Sequence, residues 1–530
     1  MTTTADVPCN PEHVKSVVGA QVEHALEWLF AVAESGGSAR RLEQDVWRAV
    51  LLIGATLLSA ALAVRCRRSL LDDLGRRGLG MADVTLRMGS DYWAGLTTTF
   101  GKVSFPLFAY RAPSGTGAAK THTPAREEVL PLLAHSRSSE LLMEWESKLG
   151  SLMPFRHAQR ALTFFTHGAV TVEDTTLSRH MVAAGTLADS SWQYRKRDEI
   201  RRILADQATR DKKTGRPLVY TSTDAHALRG YVDETWNASW KMVNGIRLWC
   251  VCRRTGQILH LGGEYTWGDC EQVEKLFALL QERGLLPADG DYGEGVQAQV
   301  VLLTDGAPWI RERIAPMFPG ALVVLDAFHA MERVAKEAAA IHGKETEEAK
   351  AWYQEVLGAM FGEKPADKPP KKPKKRRGHT KRRSSSTPEA QEEEPTQDAP
   401  LTSLADVHDS TTALADLVLL ETWLDADHPH ADAFETFANF IESNAARMNY
   451  AELRARGIQI GSGAMEALHP VASQARLKRP GARWLPRTSQ AILNLRMMDL
   501  AGRWDEFWDH PDLPARLAPE LANTNSLRTA

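Results

Sequence analysis

A mixed α/β fold, interrupted by a helical insertion and preceded by a mainly helical region, is the architecture this sequence predicts. Three observations carry it. β-prone runs cluster between residues 214 and 335 and alternate with helical periodicity toward the end of that stretch. Helical periodicity dominates before it. A charged, proline-rich break separates it from a second informative block after residue 446.

With 530 residues the chain has room for several domains. The expected division is a helical region at 1–85, a β-hairpin and loop at 86–125, and a second helical region at 126–213. A first core segment follows at 214–335, then a helical insertion at 336–445, a last core segment at 446–515 and a tail at 516–530. Net charge is −3, so bulk electrostatics do not announce a nucleic-acid binder and charge has to be read segment by segment. The five cysteines have no zinc-finger or ribbon spacing; Cys250 and Cys252 read as alternate buried strand residues in a reducing cytoplasm.

The N-terminus begins polar and lacks the basic-then-apolar order of a secretory signal. Val18, Val22, Leu26, Leu29 and Phe30 recur at helical spacing. The apolar stretch from Ala49 to Val64, bounded by Arg48 and Arg65, is 64 − 49 + 1 = 16 residues long. That is short of the roughly 20 that span a bilayer, so a buried helix is expected and no membrane contact. Leu96 to Tyr110 surrounds a Gly turn with β-branched and aromatic residues and predicts a hairpin; 112–124 reads as a loop. Phe155–Phe165 and Glu173–Ala184 predict two helices across a turn. The second carries Thr175, Thr176, Ser178, Arg179 and His180, and reads either as a DNA-recognition helix or as half of an ordinary helical hairpin.

Strands are expected at Leu218–Thr223, Gly245–Cys252 and Gln257–Tyr265, then a helix at Asp269–Arg283. A strand at Gln299–Thr304, a short helix at Ala307–Ala315, a strand at Ala321–Leu325 and a helix from Asp326 complete the series. The order β-β-β-α-β-α-β-α predicts a mixed sheet with helices on its faces. Residues 364–383 hold eleven basic residues against one acid, and 389–398 hold five acids and no base. Such a stretch buries too little apolar surface to offset its ordering entropy, so 363–401 is expected to be disordered. Its basic half either tracks phosphates or is neutralised by the acidic half. Helix resumes over 402–446.

Three acids stand out by their surroundings. Asp224 ends the run Leu218-Val-Tyr-Thr-Ser-Thr, Asp305 ends Val300-Val-Leu-Leu-Thr, and Glu466 follows Gly461-Ser462-Gly463. Asp233 and Glu234 are rivals for the first acid, ranked lower because they lie past the apolar run. Carboxylates gathered at strand ends suit a pair of divalent cations, and oxygen-only ligands favour Mg2+ or Mn2+ over zinc. Asp326 and His329, three apart at a strand-to-helix junction, read either as a helix cap with a packed His or as support for the acids. The Gly461-Ser462-Gly463 helix start offers backbone N–H groups to phosphate. From Ala467 to Met498 there are six basic residues and no acid: Arg476, Lys478, Arg479, Arg483, Arg487 and Arg496, with Trp484 among them. That block reads as a phosphate-contacting stripe or as a solvated face.

In order along the chain, Asp305-Gly-Ala-Pro-Trp309, Asp326-Ala-Phe-His329, Arg447-Met-Asn-Tyr450, Gly461-Ser-Gly-Ala-Met-Glu466 and Arg476-Leu-Lys-Arg-Pro-Gly-Ala-Arg-Trp484 resemble the DDE transposases of bacterial insertion sequences. The ISKra family is the closest likeness. Mutator-type transposases, which also carry an Asp/Cys-x-x-His element after the second acid, are a more distant one. The resemblance covers about 214–335 and 446–510. It implies an RNase H-like core with Asp224, Asp305 and Glu466 as catalytic, metal-holding acids and two Mg2+ (or Mn2+) ions. His329 would lie near the scissile phosphate, supported by Asp326. It implies DNA as partner, both element ends and target, a homodimer or higher assembly on that DNA, and a bacterial, nucleoid-associated location. The separations 305 − 224 = 81 and 466 − 305 = 161 require the insertion before the last acid. Family members often carry cysteine pairs in the N-terminal region, and 86–125 here has none. A domesticated relative that binds DNA without transposing, and a scaffold in which the acids are structural, are the alternative readings.

Overall fold

The computed structural model of this protein describes residues 11–87, 92–111, 121–231, 238–267, 270–362 and 431–526. The charged segment 363–401, most of the stretch 402–446, and Asp233 and Glu234 lie outside the described residues.

A five-stranded sheet forms the centre. It contains β6 (Leu218–Tyr231), β7 (Ala238–Val251), β8 (Ile258–Trp267), β9 (Gln299–Thr304) and β10 (Leu322–Leu325), in the order β10-β9-β6-β7-β8. The β6-β7-β8 meander is antiparallel, whereas β9 pairs parallel to β6 and β10 parallel to β9. The expected mixed sheet therefore forms. The parallel part needs crossover connections, supplied between β8 and β9 by α8 (Cys270–Glu282). β9 is buried at all six positions, which is why its sequence is a continuous apolar run rather than an alternating one.

Side-chain alternation sends the sheet into two cores. Leu218, Tyr220, Val301, Leu303 and Val324 meet α9 (Ala327–His342) and α10 (Glu347–Phe361) on one face. Val219, Ile246, Leu248, Val300 and Leu302 meet α7 (Arg197–Asp206) and α8 on the other. Each fully buried aliphatic side chain contributes roughly 1.5–3 kcal/mol.

β6 is longer than the sequence suggests. It runs 14 residues because its far half pairs with β7 as far as Tyr231 opposite Ala238. Asp224 therefore lies within a strand, just past the point where β6 parts from β9. The short helix expected at Ala307–Ala315 is instead a π-helical turn at Ile310–Ile314 running into a 3-10 turn.

The N-terminal helices are α1 (Pro11–Glu34) and α2 (Ala39–Arg76). The hairpin β2 (Trp93–Thr98) and β3 (Gly101–Pro106) forms with Thr98 opposite Gly101, beside a small sheet of β1 (Thr85–Arg87), β4 (Ala109–Arg111) and β5 (Thr121–His122). α2 lies on that hairpin, and Ser59 Oγ donates to the Ser104 carbonyl at 2.5 Å. The expectation of a buried apolar helix at Ala49–Val64 is corrected here: Ala49, Leu51 and Ala63 are buried, whereas Val50, Leu52 and Leu57 are exposed. α2 packs against α1, the hairpin and α3 (Pro124–Glu128), and these neighbours leave part of its circumference to solvent. Among the described residues, α2 is the one helix long and apolar enough to cross a membrane by length and composition.

The predicted helical pair forms as α5 (Phe155–Phe165) and α6 (Asp174–Leu187). α6 is a core helix. Leu177, Met181, Ala183 and Ala184 are buried, and His180 is enclosed between Ser136 and Glu146 rather than turned toward a ligand. Gly185 permits the close crossing of α6 with the helix Pro486–Leu500, since a Cβ there would lie 2.4 Å from the Ala491 carbonyl oxygen. Together with the C-terminal helix Leu513–Ser526, these helices cover the far end of the β6-β7-β8 meander around Leu228, Val243 and Tyr265.

Candidate metal and phosphate site

Strand register assembles the site. Ser222 pairs with Leu303, and Thr304 with Leu325. Asp305 directly follows β9, Asp326 directly follows β10, and Asp224 lies two residues beyond the last β6–β9 pair, so the three acids stand in a row just past the end of the parallel ladder. Asp305 is exposed and its Oδ1 accepts from Ala307 N at 2.8 Å, closing a turn after β9. Asp326 is fully buried and caps α9: Oδ1 accepts from His329 N at 3.0 Å, and Oδ2 accepts from Ser462 N. Burial raises its carboxyl, but the His329 side chain, with the Ser462 and His329 backbone bonds, outweighs this and holds it well below the ordinary range.

The returning chain brings the third predicted acid. Tyr450 Oη donates to the Leu325 carbonyl at 3.0 Å, and Ala327 N donates to the Ile460 carbonyl at 2.9 Å. Arg456 grips the buried Asp211 through two bonds, Nε to Oδ1 at 3.1 Å and Nη2 to Oδ2 at 2.9 Å. With Gln459 bonded to Tyr220 on β6 and Trp249 on β7, these contacts hold residues 456–460 against the sheet and lead into the helix Gly463–His469. Glu466 is exposed, with Ser462 Oγ 3.5 Å from its Oε1. The Ser462 N–H is committed to Asp326, so the Gly461-Ser462-Gly463 turn is held as part of the site's frame and that N–H is not free for phosphate.

Among the described residues, the groups whose ligand atoms gather within 4.8 Å of one another are Asp326, His329 and Glu466. The compact cluster thus differs from the predicted trio of Asp224, Asp305 and Glu466. Asp326 and His329 stand at its centre because the α9 cap fixes both. His329 Nδ1 lies 3.3 Å from Asp326 Oδ1. The Asp326 carboxylate, with smaller help from the charges of Asp305 and Asp224, pushes the His329 ring up to about 9. The Asp326 carboxylate thus favours the charged form of His329, which offsets the surrounding acids.

Asp224 sits on the other flank. Its Oδ2 is 2.9 Å from His469 Nε2, and Ala225 N donates to Oδ1 at 2.7 Å. Burial raises its carboxyl, but the His469 bond and charge outweigh this and leave it below the ordinary range. His469 Nδ1 is in turn 2.9 Å from Tyr265 Oη. His226 stacks edge-on to His469 with ring centroids 4.6 Å apart and meets Ser473 Oγ at 2.7 Å; burial pushes it down to about 4. Sequence reasoning missed His469, Tyr265 and His226. The available signal was the Glu466-x-x-His469 spacing, which places both side chains near one helix face. Gly245, opposite Asp224 on β7, makes room for this packing: a Cβ there would come within 2.6 Å of the Tyr265 ring and 2.5 Å of Met465.

The donors suit a hard divalent cation. Asp224, Asp305 and Glu466 present carboxylate oxygens with lone pairs left over, on elements fixed by strand register and by the Asp326 cap.

The basic block divides. Lys478, Arg479 and Arg483 are exposed. Arg476 is buried, and this corrects its assignment as a DNA contact. Its guanidinium lies 5.1 Å from the Phe155 ring and 4.7 Å from the Trp484 ring, with Nε donating to the Gly150 carbonyl. Burial lowers it to about 10. Trp484 is consumed likewise, donating Nε1 to the Leu477 carbonyl and its backbone N to Arg229. Arg487 pairs with Glu520 at 3.0 Å, and Arg496 donates to the Ala472 and Ser151 carbonyls.

No family model matches this chain, and no curated protein matches it.

Proposed function

We propose that this chain is a metal-dependent DNA transposase of the DDE type, which cuts the ends of its element and joins the resulting 3′-hydroxyls to target DNA. The observation that carries this reading is the placement of Asp224, Asp305 and Asp326 just past the end of the parallel ladder, with Glu466 brought beside Asp326 and His329 by chain returning from the insertion. The sheet order and strand directions support an RNase H-like core. The Asp326–His329 pair at the edge of that row supports the likeness to transposases with an Asp-x-x-His element.

Asp224, Asp305 and Glu466 would hold two Mg2+ or Mn2+ ions, which supply Lewis-acid stabilisation of the attacking and leaving oxygens. The chain's own groups do the rest. Asp326 ties α9 to the Glu466 segment and fixes the geometry. Protonated His329 places positive charge where a scissile phosphate gains negative charge. Lys478, Arg479 and Arg483 offer exposed charge for the DNA backbone.

The test is purified protein with a supercoiled plasmid carrying the DNA that flanks its coding sequence. Nicking that requires Mg2+ or Mn2+ and leaves 3′-hydroxyls is expected. Cleavage by Asp305→Asn at the wild-type rate would remove the assignment.

A further inference from the structure

Tyr265, His469 and Asp224 form an unbranched chain of hydrogen bonds from the meander's core to the edge of the acid row. Tyr265 Oη and His469 Nδ1 are 2.9 Å apart, and His469 Nε2 and Asp224 Oδ2 are 2.9 Å apart. Tyr265 is fully buried and His469 almost so. We propose that His469, set by Tyr265, is a positioning residue that locks the Asp224 carboxylate and the Glu466 helix into one geometry for cation binding. This inference rests on the metal-dependent reading above and adds residues to it.

The direction of the bonds follows from the groups that meet. A carboxylate oxygen accepts, so Nε2 carries the hydrogen that faces Asp224. With the tautomer assigned from this network, Nδ1 is left to accept from Tyr265 Oη. Asp224 Oδ2 retains a further lone pair for a cation, as expected of a ligand held by an outer hydrogen bond.

The covalent placement of His469 adds the second half of the argument. It lies three residues after Glu466 on the helix Gly463–His469. Its bond to Asp224 on β6 therefore joins the first and third acids directly, across 469 − 224 = 245 residues of sequence. Two further contacts hold the same helix against the sheet. Arg247 Nη1 donates to the Ala464 carbonyl, and Gly245 leaves space for Met465 and the Tyr265 ring. Leu468 and Met465 fill the apolar contact of this helix, and the His469 ring adds an edge-on contact with His226 to its two hydrogen bonds.

The experiment titrates Mn2+ into the full-length chain, with free Mn2+ read by electron paramagnetic resonance and folding monitored by thermal unfolding. Tyr265→Phe removes one hydroxyl and keeps the ring, so it should unfold as the wild type does. It should bind Mn2+ up to about 10-fold more weakly, and His469→Ala about 10- to 100-fold more weakly, the range for outer ligands. In an Asp224→Asn background His469→Ala should cause no further loss, a result that a purely structural role would not give. His469→Gln, which keeps an N–H donor, should recover part of the affinity.

Unchanged Mn2+ affinity in folded Tyr265→Phe and His469→Ala, with loss in Asp305→Asn, would overturn this inference and leave the metal site standing. Additive losses of His469→Ala and Asp224→Asn would also overturn it. Absence of Mn2+ binding by the wild-type chain would instead overturn the metal reading itself.

Discussion

The acid row and the basic block look alike in sequence: each is a group of like charges in a short, distinctive context. They fold to opposite ends. Asp305 and Glu466 stay exposed, and Asp224 half-exposed, because strand register and helix caps hold the backbone and leave carboxylate oxygens facing outward. Arg476 is buried, Arg487 and Arg496 are half-buried and spent on Glu520 and on carbonyls, and Lys478, Arg479 and Arg483 are exposed. Long basic side chains bury their stems along apolar surface, so their spacing in sequence says little about where the charge ends up. A short carboxylate fixed to a strand follows its backbone.

That contrast can be broken most severely at Asp305. Asp305→Asn should lower metal-dependent cleavage by at least about 100-fold, beyond the loss caused by changes outside the ligand sphere, with DNA binding retained. Gel-shift and nicking assays on one preparation check both halves. Loss of binding together with cleavage would place Asp305 on the structural side of the comparison.

Asp211→Asn should cost about 3 kcal/mol in denaturant unfolding, because it leaves Arg456 buried with only Glu452 at 3.4 Å as partner. The same pair sets an acid limit. Asp211 is lowered to about 2: burial raises it, but the Arg456 bonds outweigh that. Its contribution is therefore fully present above the unfolded value near 3.8 and is lost as pH falls toward 2. Acid unfolding of the wild type should show this loss, and Asp211→Asn should not.

Arg476→Ala should destabilise by about 2–4 kcal/mol through lost packing between Phe155 and Trp484, and leave the salt dependence of DNA binding unchanged. The combined replacement of Lys478, Arg479 and Arg483 by Ala should do the reverse. Stability should change little, and the slope of log affinity against log salt should shrink by up to roughly 2.7, about 0.9 for each lost phosphate contact. An equal slope change in Arg476→Ala would erase the division drawn within the block.

Much of the core was legible in the sequence. The strand series, the apolar β9 and its terminal Asp305 follow from local patterning, and the sheet forms in the expected α/β class. What was not legible depended on pairing. The length of β6 is set by β7, so Asp224 lies within a strand rather than at its end. The exposure of α2 reflects the side that its neighbours leave open. The central place of Asp326 arises from its contact with Ser462, 136 residues away, and His469 meets Asp224 across 245 residues. The Glu466-x-x-His469 spacing places His469 near Glu466 but does not give its partner on β6.

Diffraction from crystals soaked in Mn2+, with the metal located by its anomalous signal, tests the central claim most directly. Manganese peaks among the carboxylates of Asp224, Asp305 and Glu466 are the predicted result. A fully soaked crystal with no metal at those residues, or with manganese bound only elsewhere, would contradict it.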